Sequence, residues 1–134
     1  AGLTGYAYVS AYCAAKHGLT GYHDSIRAEN EHLGVKVLVV QPGSVRTDVS
    51  RNALSADGSR RGESDKAIEN GMPPEDAAAA ILAAIDAGTR ELLLATGVEA
   101  QIAQMRRSDP EALFDMVNAT MRAGYAQKMN ANRS

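Results

Sequence analysis

Tyr12 and Lys16 have the residue types and the spacing for proton transfer. They stand in the run Ser10-Ala11-Tyr12-Cys13-Ala14-Ala15-Lys16, which opens a helical pattern. An i, i+4 pair shares one helix face, with about 6 Å between the two residues along the axis. A phenol with an ordinary pKa of about 10 is a poor acid or base at neutral pH. A fixed ammonium nearby favours the phenolate and lowers such a value by roughly 1–3 units. That would prepare a tyrosine for general acid/base work. Tyr-x-x-x-Lys alone is a short motif, and the competing reading is a structural pair on a helix surface.

The elements that must position this pair can be read in chain order. Residues 10–33 carry Tyr12, Leu19, Ile26 and Leu33 at heptad spacing, with Ala15 and Tyr22 between them. This predicts a helix whose apolar stripe is wide enough to pack on its own sheet and on a neighbour. Gly34 stands where a C′ glycine would close it. Val35 to Val40 is a β-branched and aliphatic run, the pattern of a strand buried on both faces of a parallel sheet. Pro42-Gly43 ends the strand, and ligands of α/β folds bind beyond such carboxyl ends.

Residues 48–72 have no steady apolar period and are rich in Ser, Arg, Asp and Gly. A connection of that length reads as a flap that closes over a site, or as a solvated surface loop. Met72-Pro73-Pro74-Glu75-Asp76 starts the next helix, with Pro at N1 and acids in the first turn. Ala77, Ala80, Ile81, Ala84 and Ile85 form its expected buried stripe, and Gly88 closes it. Glu91 to Ala95 reads as a short buried strand. From Val98 two helical pieces are expected, divided near Ser108-Asp109-Pro110, with Asp109 as cap and Pro110 as the start of the second.

Bulk properties narrow the classes. The 134 residues carry a net charge of −2, which argues against electrostatic binding of nucleic acid. No run of about twenty apolar residues is present, so no spanning helix is expected, and no signal peptide is visible. The single cysteine, Cys13, excludes an internal disulfide framework and fits a reducing, cytoplasmic compartment. It reads as a small buried helix residue, with redox sensitivity as the alternative. His17, His23 and His32 lack metal-ligand spacing and read as surface residues, so no metal site is expected. Tyr6 and Tyr8 either line a pocket mouth or pack on the sheet. Asn118-Ala119-Thr120 and Asn132-Arg133-Ser134 fit glycosylation sequons, which need a secretory context. In the tail, Leu113, Phe114, Met116, Val117 and Met121 lie among Arg106, Arg107, Arg122 and Lys128. They suit peripheral membrane contact or packing against the fold or a partner subunit.

The motifs together resemble a known family. Ala1-Gly2-Leu3-Thr4-Gly5, Tyr8-Val9-Ser10-Ala11, the Tyr12/Lys16 helix, His17-Gly18-Leu19, the strand at 35–40 and Pro42-Gly43-Ser44-Val45-Arg46-Thr47 follow one another with matching spacing. This is similar to the second half of a classical short-chain dehydrogenase/reductase (SDR). Extended SDR epimerases share the Tyr/Lys pair but usually lack Pro-Gly-x-Val-x-Thr. A finer resemblance, to the member-7B type within the family, rests on residues 47–54, 56–60 and Pro74-Glu75-Asp76-Ala77-Ala78. It continues through Ala103-Gln104-Met105-Arg106-Arg107 and Leu113-Phe114.

The resemblance implies the C-terminal part of a single α/β domain, a Rossmann-type doubly wound parallel sheet whose nucleotide-binding N-terminal half is absent. Residues 1–47 would hold the catalytic helix and cofactor strand, 48–72 the substrate loop, 73–97 a helix and the last strand, and 98–134 a helical tail. The family's glycine-rich turn, Asn-Ala-Gly motif and catalytic serine would lie ahead of Ala1. The implied activity is hydride transfer between NAD(H) or NADP(H) and a carbonyl or alcohol substrate. Tyr12 would be the proton donor or acceptor, and Lys16 would lower its pKa and hydrogen-bond the nicotinamide ribose. Pro42, Gly43, Val45 and Thr47 would approach the cofactor, with the Val45 backbone and Thr47 contacting the carboxamide; the plain alternative is a Pro-Gly turn and a capping threonine. A homodimer or homotetramer is implied, and the fragment alone should be inactive. The other class of reading is a non-catalytic remnant that serves as an interaction or regulatory module.

Overall fold

The computed structural model describes residues 1–131, with side chains through Gly124. The Asn132-Arg133-Ser134 sequon and the Lys128 side chain lie outside the described residues. The first helix, α1, runs Ser10–Asn30 and tightens into a 3-10 turn at Glu31–Leu33. Gly34 closes it at φ 84°, donating its N–H to the Glu31 carbonyl at 3.0 Å. A left-handed residue at this point favours glycine, which has no Cβ to clash.

Two strands follow, β1 at Val39–Pro42 and β2 at Glu91–Leu94. They pair in parallel with Val39 opposite Glu91 and Pro42 opposite Leu94. Parallel neighbours require a long crossover. Here it contains a one-turn helix, α2 (Lys66–Glu69), and α3 (Pro74–Asp86). Two helices, α4 (Gly97–Ser108) and α5 (Pro110–Ala131), follow. The described residues thus form a small parallel sheet with five α-helices, a partial Rossmann-like α/β arrangement.

Local signals account for some helix ends. Pro73 is the N-cap of α3, Pro74 its first residue, and Glu75 and Asp76 lie in its first turn. Asp109 Oδ1 accepts the Ala112 N–H at 3.0 Å where α4 gives way to α5. Among the described residues the core is small: Cys13, Ala77, Ala84, Leu94, Ala103 and Leu113 are buried, and only Leu113 is fully so.

Several expectations are corrected. The strand is Val39–Pro42 rather than 35–40, and its apolar residues are half-buried rather than enclosed on both faces. Only β2 flanks it among the described residues, and Pro42 falls inside it, as proline does on an edge strand. The α1 stripe is largely uncovered: Tyr12, Leu19, Tyr22 and Leu33 are exposed. A pair of four-residue strands is too narrow to cover a helix of 21 residues. Ile85 is exposed on α3, and Phe114 and Met116 on α5. His23 is half-buried while His17 and His32 are exposed.

The 48–72 segment is a folded excursion rather than an open loop. Leu54 and Arg60 form an antiparallel bridge, and Arg61 donates its N–H to the Ala53 carbonyl at 2.8 Å. Ser50 Oγ, buried, donates to Asp65 Oδ2 at 2.8 Å and accepts the Asp65 N–H at 2.9 Å. Arg61 closes the clip on the Asp65 carboxylate at 2.5 and 3.0 Å. The two ends of the excursion meet: Arg46 N–H donates to the Met72 carbonyl and Met72 N–H to the Ser44 carbonyl, each at 2.9 Å.

Candidate active site

The carboxyl ends of β1 and β2 open onto a cleft of about 660 Å³. Tyr12 and Lys16 stand on one wall, from α1. Pro42, Gly43 and Ser44 form another, with Tyr6 ahead of the helix and Glu99 from α4. This is the end of an α/β sheet where ligands bind. Lys16 Nζ lies over the Tyr12 ring, 5.4 Å from its centroid. Helical spacing alone brings the two together, and both side chains reach solvent.

Of the residues expected at a site, Tyr12, Lys16, Pro42 and Gly43 share the cleft, while Val45 and Thr47 are not on its wall. Val45 is half-buried and bridged to Met72; Thr47 is exposed one residue beyond Arg46. Tyr6 faces the cleft, and burial, then the charge of Glu99, then Cys13 push its phenol above the usual range. Tyr8 neither lines the cleft nor packs on the sheet; it is exposed at φ 68°, a backbone region uncommon for a side chain of its size. Cys13, next to Tyr12 in the chain, is buried, and its Sγ accepts the Tyr6 N–H at 3.3 Å.

The strongest polar contact of the cleft was not foreseen. Glu99 Oε2 accepts the Ser44 N–H at 2.8 Å and Oε1 accepts the Ser44 hydroxyl at 2.6 Å. A Cβ on Gly43 would fall on that carboxylate, so the glycine is required by close approach. The sequence hides this role, because Thr96-Gly97-Val98-Glu99 spells a capping box, in which Glu would bond its own helix N-terminus. Thr96 is the N-cap of α4 and makes no side-chain cap bond; Glu99 reaches across to Ser44 instead.

Some polar atoms on the cleft are buried without a partner: Thr4 Oγ1 and both the oxygen and nitrogen of the Gln41 amide. Such atoms cost free energy unless a ligand or chain segment pairs them. Among the described residues no group of three His, Cys, Asp or Glu side chains could hold a metal ion.

Comparison with known proteins bears on this geometry. Residues 1–58 match the short chain dehydrogenase family. The chain is 42% identical over 88 residues to dehydrogenase/reductase SDR family member 7B of Danio rerio, covering 66% of this chain and 28% of that protein. It is 36% identical over 110 residues to the Xenopus laevis protein of the same name, covering 82% of this chain and 34% of the relative. It is 35% identical over 105 residues to dehydrogenase/reductase SDR family protein 7-like of Anopheles gambiae, covering 78% and 33%. The chain therefore spans about a third of the length of these relatives. No solved structure matches. A helix bearing Tyr12 and Lys16, a Pro42-Gly43 turn at the end of a parallel strand and these similarities agree: the chain belongs to the short-chain dehydrogenase/reductase family and is similar to its member 7B type.

Proposed function

We propose that, in a full-length protein carrying this chain, the cleft is the substrate and nicotinamide side of an NAD(P)-dependent oxidoreductase acting on a carbonyl or alcohol. The observation that carries this reading is Tyr12, with Lys16 over its ring, on the wall of a cleft at the carboxyl ends of two parallel strands. In reduction Tyr12 gives its phenolic proton to the carbonyl oxygen, and in oxidation it takes the proton of the alcohol. Lys16 stands over the Tyr12 ring and hydrogen-bonds the cofactor ribose. Pro42 and Gly43 shape the approach from the cleft wall, and the Val45 backbone and Thr47 hydroxyl, which lie off that wall on the segment tied to Met72, reach the carboxamide only if that segment moves toward the cleft. The bound nicotinamide supplies or accepts the hydride.

The reading is tested by incubating the full-length protein with NADPH or NADH and a panel of ketones and aldehydes. Dinucleotide oxidation matched by alcohol product is expected; binding of neither dinucleotide contradicts it. A homodimer or homotetramer belongs to the same proposal, and sedimentation equilibrium checks it. A second reading, a non-catalytic interaction module, draws on the exposed apolar face of α1 with Leu19 and Tyr22. Full-length protein that forms a complex through this face but turns over no carbonyl would favour it.

A further inference from the structure

We propose that Glu99 is a positioning residue that locks the Gly43–Ser44 turn and so sets how the segment through Val45 to Thr47 meets the cofactor. The inference rests on the function proposed above and adds to it a residue from a helix 55 positions away along the chain. Ser44 offers two donors, its N–H and its hydroxyl, and one carboxylate takes both, at 2.8 and 2.6 Å. Paired bonds to an ionised acceptor are shorter and stronger than neutral ones, and they fix direction as well as distance. Gly43 leaves the space that the carboxylate fills.

The opposite side of the turn is held as closely. A Cβ on Gly71 would come within 2.6 Å of the Ser44 carbonyl oxygen and 3.0 Å of Val45 N. The Met72 N–H bonds that same carbonyl at 2.9 Å. Ser44 is thus gripped by a side chain on one side and by backbone on the other. Only the Glu99 side is made by a removable group. The first turn of α4, where Glu99 stands, makes no side-chain cap bond at Thr96, so the carboxylate is committed to Ser44 rather than to its own helix.

The test uses the full-length protein with Glu99→Ala, Glu99→Gln and Ser44→Ala variants. Steady-state kinetics against the dinucleotide are measured together with hydrogen–deuterium exchange of the peptide covering residues 41–47. Glu99→Ala is expected to raise the dinucleotide KM by about 10- to 100-fold, the range for losing hydrogen bonds to a charged group, and to speed exchange in that peptide alone. Glu99→Gln, which keeps one acceptor oxygen and the side-chain volume, should recover part of both effects. Adding Ser44→Ala to Glu99→Ala should cost less than it does in the wild type. Wild-type KM and unchanged exchange at 41–47 would overturn the assignment. So would a fall in kcat at constant KM, which reports lost folded enzyme rather than a displaced turn. If the wild-type protein binds no dinucleotide, the proposed function fails by itself. Exchange then decides the role of Glu99: unchanged exchange at 41–47 in both Glu99 variants overturns it, and selective acceleration supports it.

Discussion

Lys16 Nζ lies over the face of the Tyr12 ring, 5.4 Å from its centroid, one helical turn further along α1. At an exposed site such a contact is worth about 0.5–1 kcal/mol, so it does little to hold the fold. Its value is in placing a cation beside a phenol at the cleft. Lys16→Met should therefore leave the melting temperature of the full-length protein nearly unchanged. The same change should lower kcat/KM by about 100-fold or more, the contribution of a working acid/base group. A variant that unfolds, or one that keeps full turnover, would show that the pair is structural.

The Ser50–Arg61–Asp65 clip makes the 48–72 excursion sensitive to acid. The Arg61 guanidinium first, then the Ser50 hydroxyl, holds the Asp65 carboxyl below its ordinary range. A carboxylate depressed by folding contributes stability above its unfolded pKa and loses it as pH falls through the folded one. The clip should stay closed at neutral pH and open only under acid, below the ordinary carboxylate range near 4. Limited proteolysis within 53–64 as a function of pH checks this. Asp65→Asn should make the segment susceptible at neutral pH, and a pH-independent pattern in the wild type would contradict the account.

Cys13 holds the approach to α1 by accepting the Tyr6 N–H on its buried sulfur. Cys13→Ala removes that acceptor and leaves a half-buried donor, at a cost of about 1–3 kcal/mol. Cys13→Ser keeps an acceptor and should lose less. Urea denaturation of the two variants ranks them, and equal losses would mean that side-chain volume rather than the hydrogen bond is what matters.

Leu113 is the only fully buried large side chain among the described residues. It sits where α5 folds back on α4, beside the cap made by Asp109. Leu113→Ala should destabilise by about 2–5 kcal/mol, as expected for a cavity in a packed site. Phe114→Ala, at the exposed neighbour, should cost much less. A reversed order in urea denaturation would place the helix contact elsewhere.

What was legible in the sequence was what local chemistry decides. Gly34 past the end of α1, Pro74 at the start of α3 and Asp109 before α5 act through bonds within a few residues, so each boundary followed from residue type. The Tyr12/Lys16 pairing was legible for the same reason. Burial of β1 was not, because it depends on how many strands flank it, which Val35 to Val40 cannot encode. The Ser44–Met72 ladder spans the whole excursion, and no periodicity marks it. Glu99 was hidden by a nearer explanation: Thr96-x-x-Glu99 satisfies a local capping rule, while the carboxylate bonds a residue 55 positions away.

The proposed reaction rests on Tyr12 as the group that moves the proton. The most direct measurement is kcat for carbonyl reduction by full-length Tyr12→Phe protein, with dinucleotide affinity measured on the same sample. The substitution removes one oxygen from an exposed side chain, so folding and dinucleotide binding should persist while turnover falls by about 100- to 10,000-fold. Turnover within a few-fold of wild type would contradict the assignment and move the acid/base role to another group in the cleft.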